Sequence, residues 1–339
     1  MNPVSIFQSL EAAAAWLRGF GSAYEVVLVI AAVVLALAAL LPATERWRGW
    51  FLAGAAALLL AGEGVLVWFH LRIYQLAAVV SPDGVASGHV SVPLWVESEK
   101  LFVWALIVAV LGMLMRRQRD DLLQGVMLVA AVLMFGAGLL GKPFSAPLPS
   151  FFGQYYGYLQ AMAAGGVAAQ GAYEGMESAR QFYYNAWYMW VHPPMLFLSY
   201  GAFAISFVAT LRMIATKRAS FETTAYRWAR FGYVWLTLGM LLGFPWALAA
   251  WQGEAWWWSG KVNMSLMMWL LYTAYLHARL YLRRNGMWKA VAALAVLSFV
   301  ILVLTYIATY VVPGAHSYAS MVSSPARAFT LALLRGGAA

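Results

Sequence analysis

Residues 22–42, SAYEVVLVIAAVVLALAALLP, decide the fold. Apart from the Tyr24 phenol they carry one ionisable side chain, Glu25. At 1.5 Å per residue such a run crosses the ~30 Å hydrocarbon core of a bilayer as a helix. Comparable runs follow at 50–71, 95–115, 122–141, 194–214, 229–249, 263–283 and 289–312. The third is the weakest, because it opens with Glu97, Glu99 and Lys100. A bilayer interior offers backbone groups no water, so unbroken apolar runs of this length are helical. The expectation is an all-α integral membrane protein with about eight transmembrane helices. Composition agrees: 63% of the 339 residues are hydrophobic and only 10% charged, with a mean hydropathy of +0.72. Soluble domains carry about 25% charged residues.

Basic residues mark the cytoplasmic ends of membrane helices. Arg46 and Arg48, then Arg116, Arg117 and Arg119, then Arg212, Lys217, Arg218, Arg227 and Arg230, then Arg279, Arg283, Arg284 and Lys289 fall on alternate connections. The net charge of +9 is therefore a topology signal. Its division among four junctions argues against nucleic-acid binding. An even number of spans then puts both termini outside, together with 73–94, 142–193, 250–262 and the C-terminal tail 313–339. Residues 1–21 lack the basic start and compact apolar core of a signal peptide. They are expected to form an interfacial amphipathic segment with Ile6, Leu10, Ala14 and Leu17 on one face. Residues 22–312 make the transmembrane domain. It includes the outward loop 142–193, rich in Gly, Ala, Tyr and Phe, which is expected to lie on the membrane or cover a site.

Chemistry-bearing residues are few. There is no cysteine, which excludes disulfides, thiolate metal sites and thioether attachment of haem to this chain. Phosphate-loop, zinc-protease and nucleophile-elbow motifs are absent. Glu63, Glu97 and Glu99 are expected to face a polar bundle interior or to pair with a neighbour such as Lys100, with proton relay as the alternative. Residues 244–262, FPWALAAWQGEAWWWSGKV, hold Trp246, Trp251, Trp256, Trp257 and Trp258 on the outward side. So dense a cluster serves a membrane interface or covers a flat aromatic ligand. His192 stands before two prolines that start a helix, and His316 stands in VVPGAHSYAS just beyond the last run. Two imidazoles and a Trp-rich wall at one membrane face suit a haem, and equally suit an aromatic belt with two loop histidines. His277 lies fourteen residues into the seventh run, about 21 Å deeper, and does not share an iron with His192. His70, near the outer end of the second run, is a poor opposite ligand for it.

SGHVSVPLWVES at 87–98, the His-Pro-Pro segment HPPMLFLSYGAF, the Trp-rich loop leading into KVNMSLMMWLLYTAYLHAR, and GAHSY at 314–318 stand in a fixed order. After Lys261 come Trp269 eight residues on, His277 sixteen on and Arg279 eighteen on. In order and spacing the chain resembles the CcsA (ResC) type of cytochrome c biogenesis protein, System II, with a CcmF-like His-Pro-Pro segment, over about residues 60–320.

That resemblance implies that the Trp-rich loop is a WWD-like domain holding haem b at the outer face. It implies His192 and His316 as axial ligands there, and His277 as an intramembrane ligand. The haem would be offered to the CxxCH motif of an apocytochrome c, with this chain a subunit of a haem lyase. A CcsB (ResB) type membrane partner is implied, which could supply the ligand opposite His277. Thiol-reducing proteins and membrane lipid are further contacts. Lys261 is placed to meet a haem propionate or to reach lipid headgroups. One departure stands out: Ser259 and Gly260 replace the Asp-Pro of the signature. Haem transport without ligation, and a respiratory subunit carrying b-type haem, are the alternative functions.

Overall fold

The computed structural model describes residues 3–89, 97–115, 120–179, 190–250, 257, 259–281 and 288–311. Ten helices lie among them: α1 Pro3–Leu40, α2 Arg48–Leu76, α3 Lys100–Met115, α4 Asp120–Gly136, α5 Pro149–Ala164, α6 Gly166–Ala179, α7 His192–Thr216, α8 Ala219–Ala250, α9 Gly260–Leu280 and α10 Trp288–Val311. Helices stand at all eight positions expected for spans, but six are long and apolar enough to cross a membrane: α1, α2, α4, α7, α8 and α10. The other two differ for physical reasons. Helix α3 has 16 residues, about 24 Å of rise, and most of its side chains are buried among α2, α4 and α7. Helix α9 has 21 residues but carries Asn263, Ser265, Thr273, His277 and Arg279, and Thr273 and Arg279 bond to α8.

Helix α1 runs unbroken through residue 21, where the sequence suggests a boundary between an interfacial segment and the first span. The expected face exists, since Ile6, Leu10, Ala14 and Leu17 are all buried, but protein covers it. Phe7 stacks on Tyr155 of α5 with ring centroids 5.5 Å apart, and the Tyr155 hydroxyl reaches the carbonyls of Pro3 and Ala78. Gly21 makes the close approach possible: a Cβ there would fall 2.2 Å from that of Phe144. Glu25 holds the same loop, accepting from the backbone N–H groups of Phe144 and Ser145 and from the Ser145 hydroxyl.

The all-α expectation misses a small antiparallel hairpin, β1 Ala78–Val80 with β2 Ala86–His89. Its signal is SPDG at 81–84, a turn tetrad in which Gly84 adopts a φ of 82°. The segment 142–193, expected from the sequence to face outward, contains α5 and α6. Tyr158 of α5 bonds to Val80 O, and Ser87 bonds to Glu177 of α6. The hairpin and these two helices thus form one cap beside the start of α1.

Glu99 pairs with a residue the sequence does not suggest. Its Oε1 lies 2.6 Å from His70 Nε2, with both side chains 3% exposed. The pair ties the end of α2 to the turn that leads into α3.

Candidate functional site

His192 is the first residue of α7, where Pro193 and Pro194 occupy positions whose backbone N–H groups are not needed. Its Nδ1 lies 2.6 Å from the carbonyl oxygen of Gly239 on α8. A carbonyl only accepts, so Nδ1 carries the proton and Nε2 of the neutral ring keeps its lone pair. Gly243, one turn further along α8, provides the room: a Cβ there would stand 2.6 Å from Cε1 of His192. Gly232 and Gly239 face α7 in the same way, against Phe203 and Leu196. Small residues on one helix face let two membrane helices approach closely. Gly243→Ala is therefore expected to push the imidazole off Gly239 and, if this ring ligates a haem as the resemblance implies, to lower haem retention about tenfold, with the thermal midpoint of helix loss in detergent changed little. Retained haem and the midpoint, measured on the same preparation, check it.

Trp246 lies beside this ring, with centroids 6.1 Å apart and planes inclined by 32°, and is itself buried. Trp257 is about half exposed. Trp251, Trp256, Trp258 and His316 lie outside the described residues, as does the tail from 312. Helix α8 continues through Ala250, so the first part of the Trp-rich stretch is helical. Lys261, in the first turn of α9, is half-buried and close enough for its charge to act on His192. Ser259 caps α9, its hydroxyl accepting from the N–H of Val262 at 3.4 Å. Serine is among the favoured N-cap residues, so Ser259 gives α9 a well-capped start.

His277 sits in the last turn of α9, about 24 Å along the helix from Lys261, and the structure does not bring it to His192. Its side chain is exposed. Nδ1 lies 2.9 Å from the carbonyl of Thr273, which again leaves the Nε2 lone pair free. A polar ladder fixes the helix beneath it. Thr273 Oγ1 donates to Trp269 O and pairs with the Tyr233 hydroxyl at 2.8 Å, while Trp269 Nε1 donates to Thr237 Oγ1 at 3.0 Å. Two residues beyond His277, Arg279 grips Glu222 of α8 through Nε at 2.8 Å and Nη2 at 3.4 Å. Its guanidinium lies 3.8 Å from the centroid of the Tyr226 ring.

Sequence reasoning did not find Gly239, Gly243, Thr237, Tyr233, Thr273 or Glu222. For the glycines a signal exists: positions 232, 239 and 243 recur at seven and four residues, one face of a helix. Glu222 shows no such signal, because its partner lies 57 residues away.

These features define an integral membrane protein built as a helix bundle, with two imidazoles, one near each end of the α7–α8–α9 group, each held through Nδ1 with Nε2 uncommitted. The chain belongs to the cytochrome c assembly protein family, whose model matches residues 94–316. That membership places it in cytochrome c biogenesis. It is 36% identical over 104 residues to the cytochrome c biogenesis protein CcsA of Prochlorococcus marinus strain NATL1A, covering 30% of this chain and 32% of that protein. It is 38% identical over 98 residues to CcsA of Guillardia theta, covering 29% and 32%. To the cytochrome c-type biogenesis protein CycK of Bradyrhizobium diazoefficiens it is 32% identical over 136 residues, 38% of this chain and 21% of that one. The matched stretches thus span about a fifth to a third of these relatives' own lengths.

Proposed function

We propose that this protein binds haem b within the membrane and presents it at the outer face, for covalent attachment to the CxxCH motif of an apocytochrome c. The observation that carries the reading is the shared tautomer. His192 and His277 each spend Nδ1–H on a backbone carbonyl and keep Nε2 for a metal. Outer-shell hydrogen bonds of this kind orient a ligating imidazole and raise its basicity. The donor set therefore fits a haem, whose porphyrin supplies the remaining four nitrogens.

In this reading eight helices span the membrane with both termini outside. His192 and His316 are axial ligands of the outer haem. Trp246, with Trp251, Trp256, Trp257 and Trp258 of the WWD-like loop, covers the porphyrin faces and excludes water. Lys261 meets a propionate. When bound, haem supplies the two vinyl groups that the substrate thiols join. The protein's part is to hold those groups in reach of the thiols and to keep the iron ligated until a substrate histidine takes over. With no cysteine of its own, the chain does not compete for the vinyls.

His277 serves an intramembrane site. It stands in an exposed file with Leu266, Leu270, Ala274 and Tyr281, at successive steps of four, four, three and four residues. A file of this kind suits a partner membrane helix. A CcsB (ResB) type partner would bring the opposite ligand there.

The test is a reduced-minus-oxidised absorption spectrum, with haem quantified, on the complex purified with that partner. His277→Ala is expected to remove the intramembrane component and lower haem per complex, leaving the outer component in place. Unchanged haem content and spectrum would reject the intramembrane site. A second reading, haem carriage without ligation, rests on the replacement of the signature's Asp-Pro by Ser259 and Gly260. Covalent haem on a co-expressed apocytochrome separates the two.

A further inference from the structure

We propose that the groove between the first half of α1 and the second half of α2 is the seat of an anionic phospholipid. The groove encloses about 750 Å³. Ser9, Ala12, Ala13, Trp16, Trp68 and Leu76 line it, and Arg72 is its one charged group. The two indoles are in contact, with centroids 4.5 Å apart, and both remain about half exposed.

Length sets the level of the groove in the membrane. Helix α1 has 38 residues, about 57 Å of rise, nearly twice the ~30 Å hydrocarbon core. Its most apolar part lies in the second half, within 22–40, so the first half projects beyond the core and Trp16 falls at the boundary. Trp68 stands beside it on the antiparallel α2. Tryptophans at this depth belong to the interfacial belt, and Arg72, one turn beyond Trp68, lies at headgroup level.

Charge selects the occupant. Arg72 is exposed, and it donates to the neutral amide of Gln75, at the 3.5 Å limit of a hydrogen bond. Among the described residues no carboxylate pairs with it, whereas Arg18, on α1, is tied to Glu11 at 3.0 Å. A guanidinium presents a fork that matches two phosphate oxygens. Below the indoles, Phe20, Val27, Ile30 and Val34 are exposed on α1 and Leu60 on α2. A phosphate on Arg72 with acyl chains along those side chains satisfies the cation and the apolar surface at once. A soluble anion would use only the first.

The test is lipid retention by the full chain in detergent, followed by native mass spectrometry during titration with phosphatidylglycerol or phosphatidylcholine. The protein is expected to keep one phosphatidylglycerol in preference to phosphatidylcholine, and Arg72→Gln to weaken that binding about tenfold. Arg18→Gln, which removes a cation of the neighbouring α1, should bind like the unaltered protein. Four results would overturn the proposal: equal retention by Arg72→Gln, equal retention of phosphatidylcholine, the same loss in Arg18→Gln, or displacement of the lipid by glycerol 3-phosphate at comparable concentration. Co-purified haem, rather than lipid, lost on Arg72→Gln would also overturn it and assign the groove to a tetrapyrrole.

Discussion

His192→Ala is expected to remove the outer haem and to bring covalent haem on a co-expressed apocytochrome c to background. The bond from Nδ1 to Gly239 O and the space over Gly243 serve to present one nitrogen, and alanine presents none. Loss of an axial ligand changes the spectrum as well as the amount of haem. The two readouts are the reduced-minus-oxidised spectrum of the purified protein and haem staining of the cytochrome. Exogenous imidazole, small enough to enter the space the side chain leaves, is expected to restore part of the spectrum. A merely structural role for His192 predicts no such rescue. If maturation proceeds unchanged in the alanine variant, the outer site proposed for this residue is wrong.

Glu99→Ala should produce the largest loss of stability, of the order of 3–5 kcal/mol, because it leaves a buried group of a hydrogen-bonded ionisable pair without its partner. His70 and Glu99 are each 3% exposed and join α2 to the turn before α3. Helix α3 is short and enclosed, so its entry geometry rests on this link more than a longer helix's would. Replacing both partners, as in His70→Leu with Glu99→Met, is expected to recover most of the loss, since apolar side chains of similar volume need no partner. Thermal unfolding in detergent of Glu99→Ala measures the loss, and that of His70→Leu, Glu99→Met and the double variant measures the coupling. Additive effects of the single changes would show that the pair contributes no interaction of its own.

Much of the architecture is legible in the chain because a bilayer imposes a local rule. An apolar run must satisfy its backbone internally, so 22–42 or 289–312 is helical whatever its neighbours. Pro193 and Pro194 mark the start of α7 for an equally local reason, the N–H groups a first turn does not use. The same logic reads the apolar face of Ile6, Leu10, Ala14 and Leu17 correctly. It errs on what covers that face, because the stacking of Phe7 on Tyr155 joins residues 148 apart. The hairpin at 78–89 has only SPDG as its local signal, four residues within a long membrane protein.

The site divides along the same line. The types and order of His192, Lys261, Trp269, His277 and Arg279 were available from sequence. Their state was not. Which ring nitrogen is free depends on Gly239 O in one case and Thr273 O in the other, and whether the first imidazole fits at all depends on Gly243.

By itself the sequence determined that this is a helical membrane protein, where most of its helices lie, and which residues are candidates to hold an iron. Those properties follow from hydrophobicity and spacing along one segment at a time. Only the tertiary structure decided that α1 is one helix, that Glu99 belongs to His70 and Arg279 to Glu222, and that both imidazoles keep Nε2 free. Each of these depends on two helices meeting at a particular register, and no property of one segment contains that.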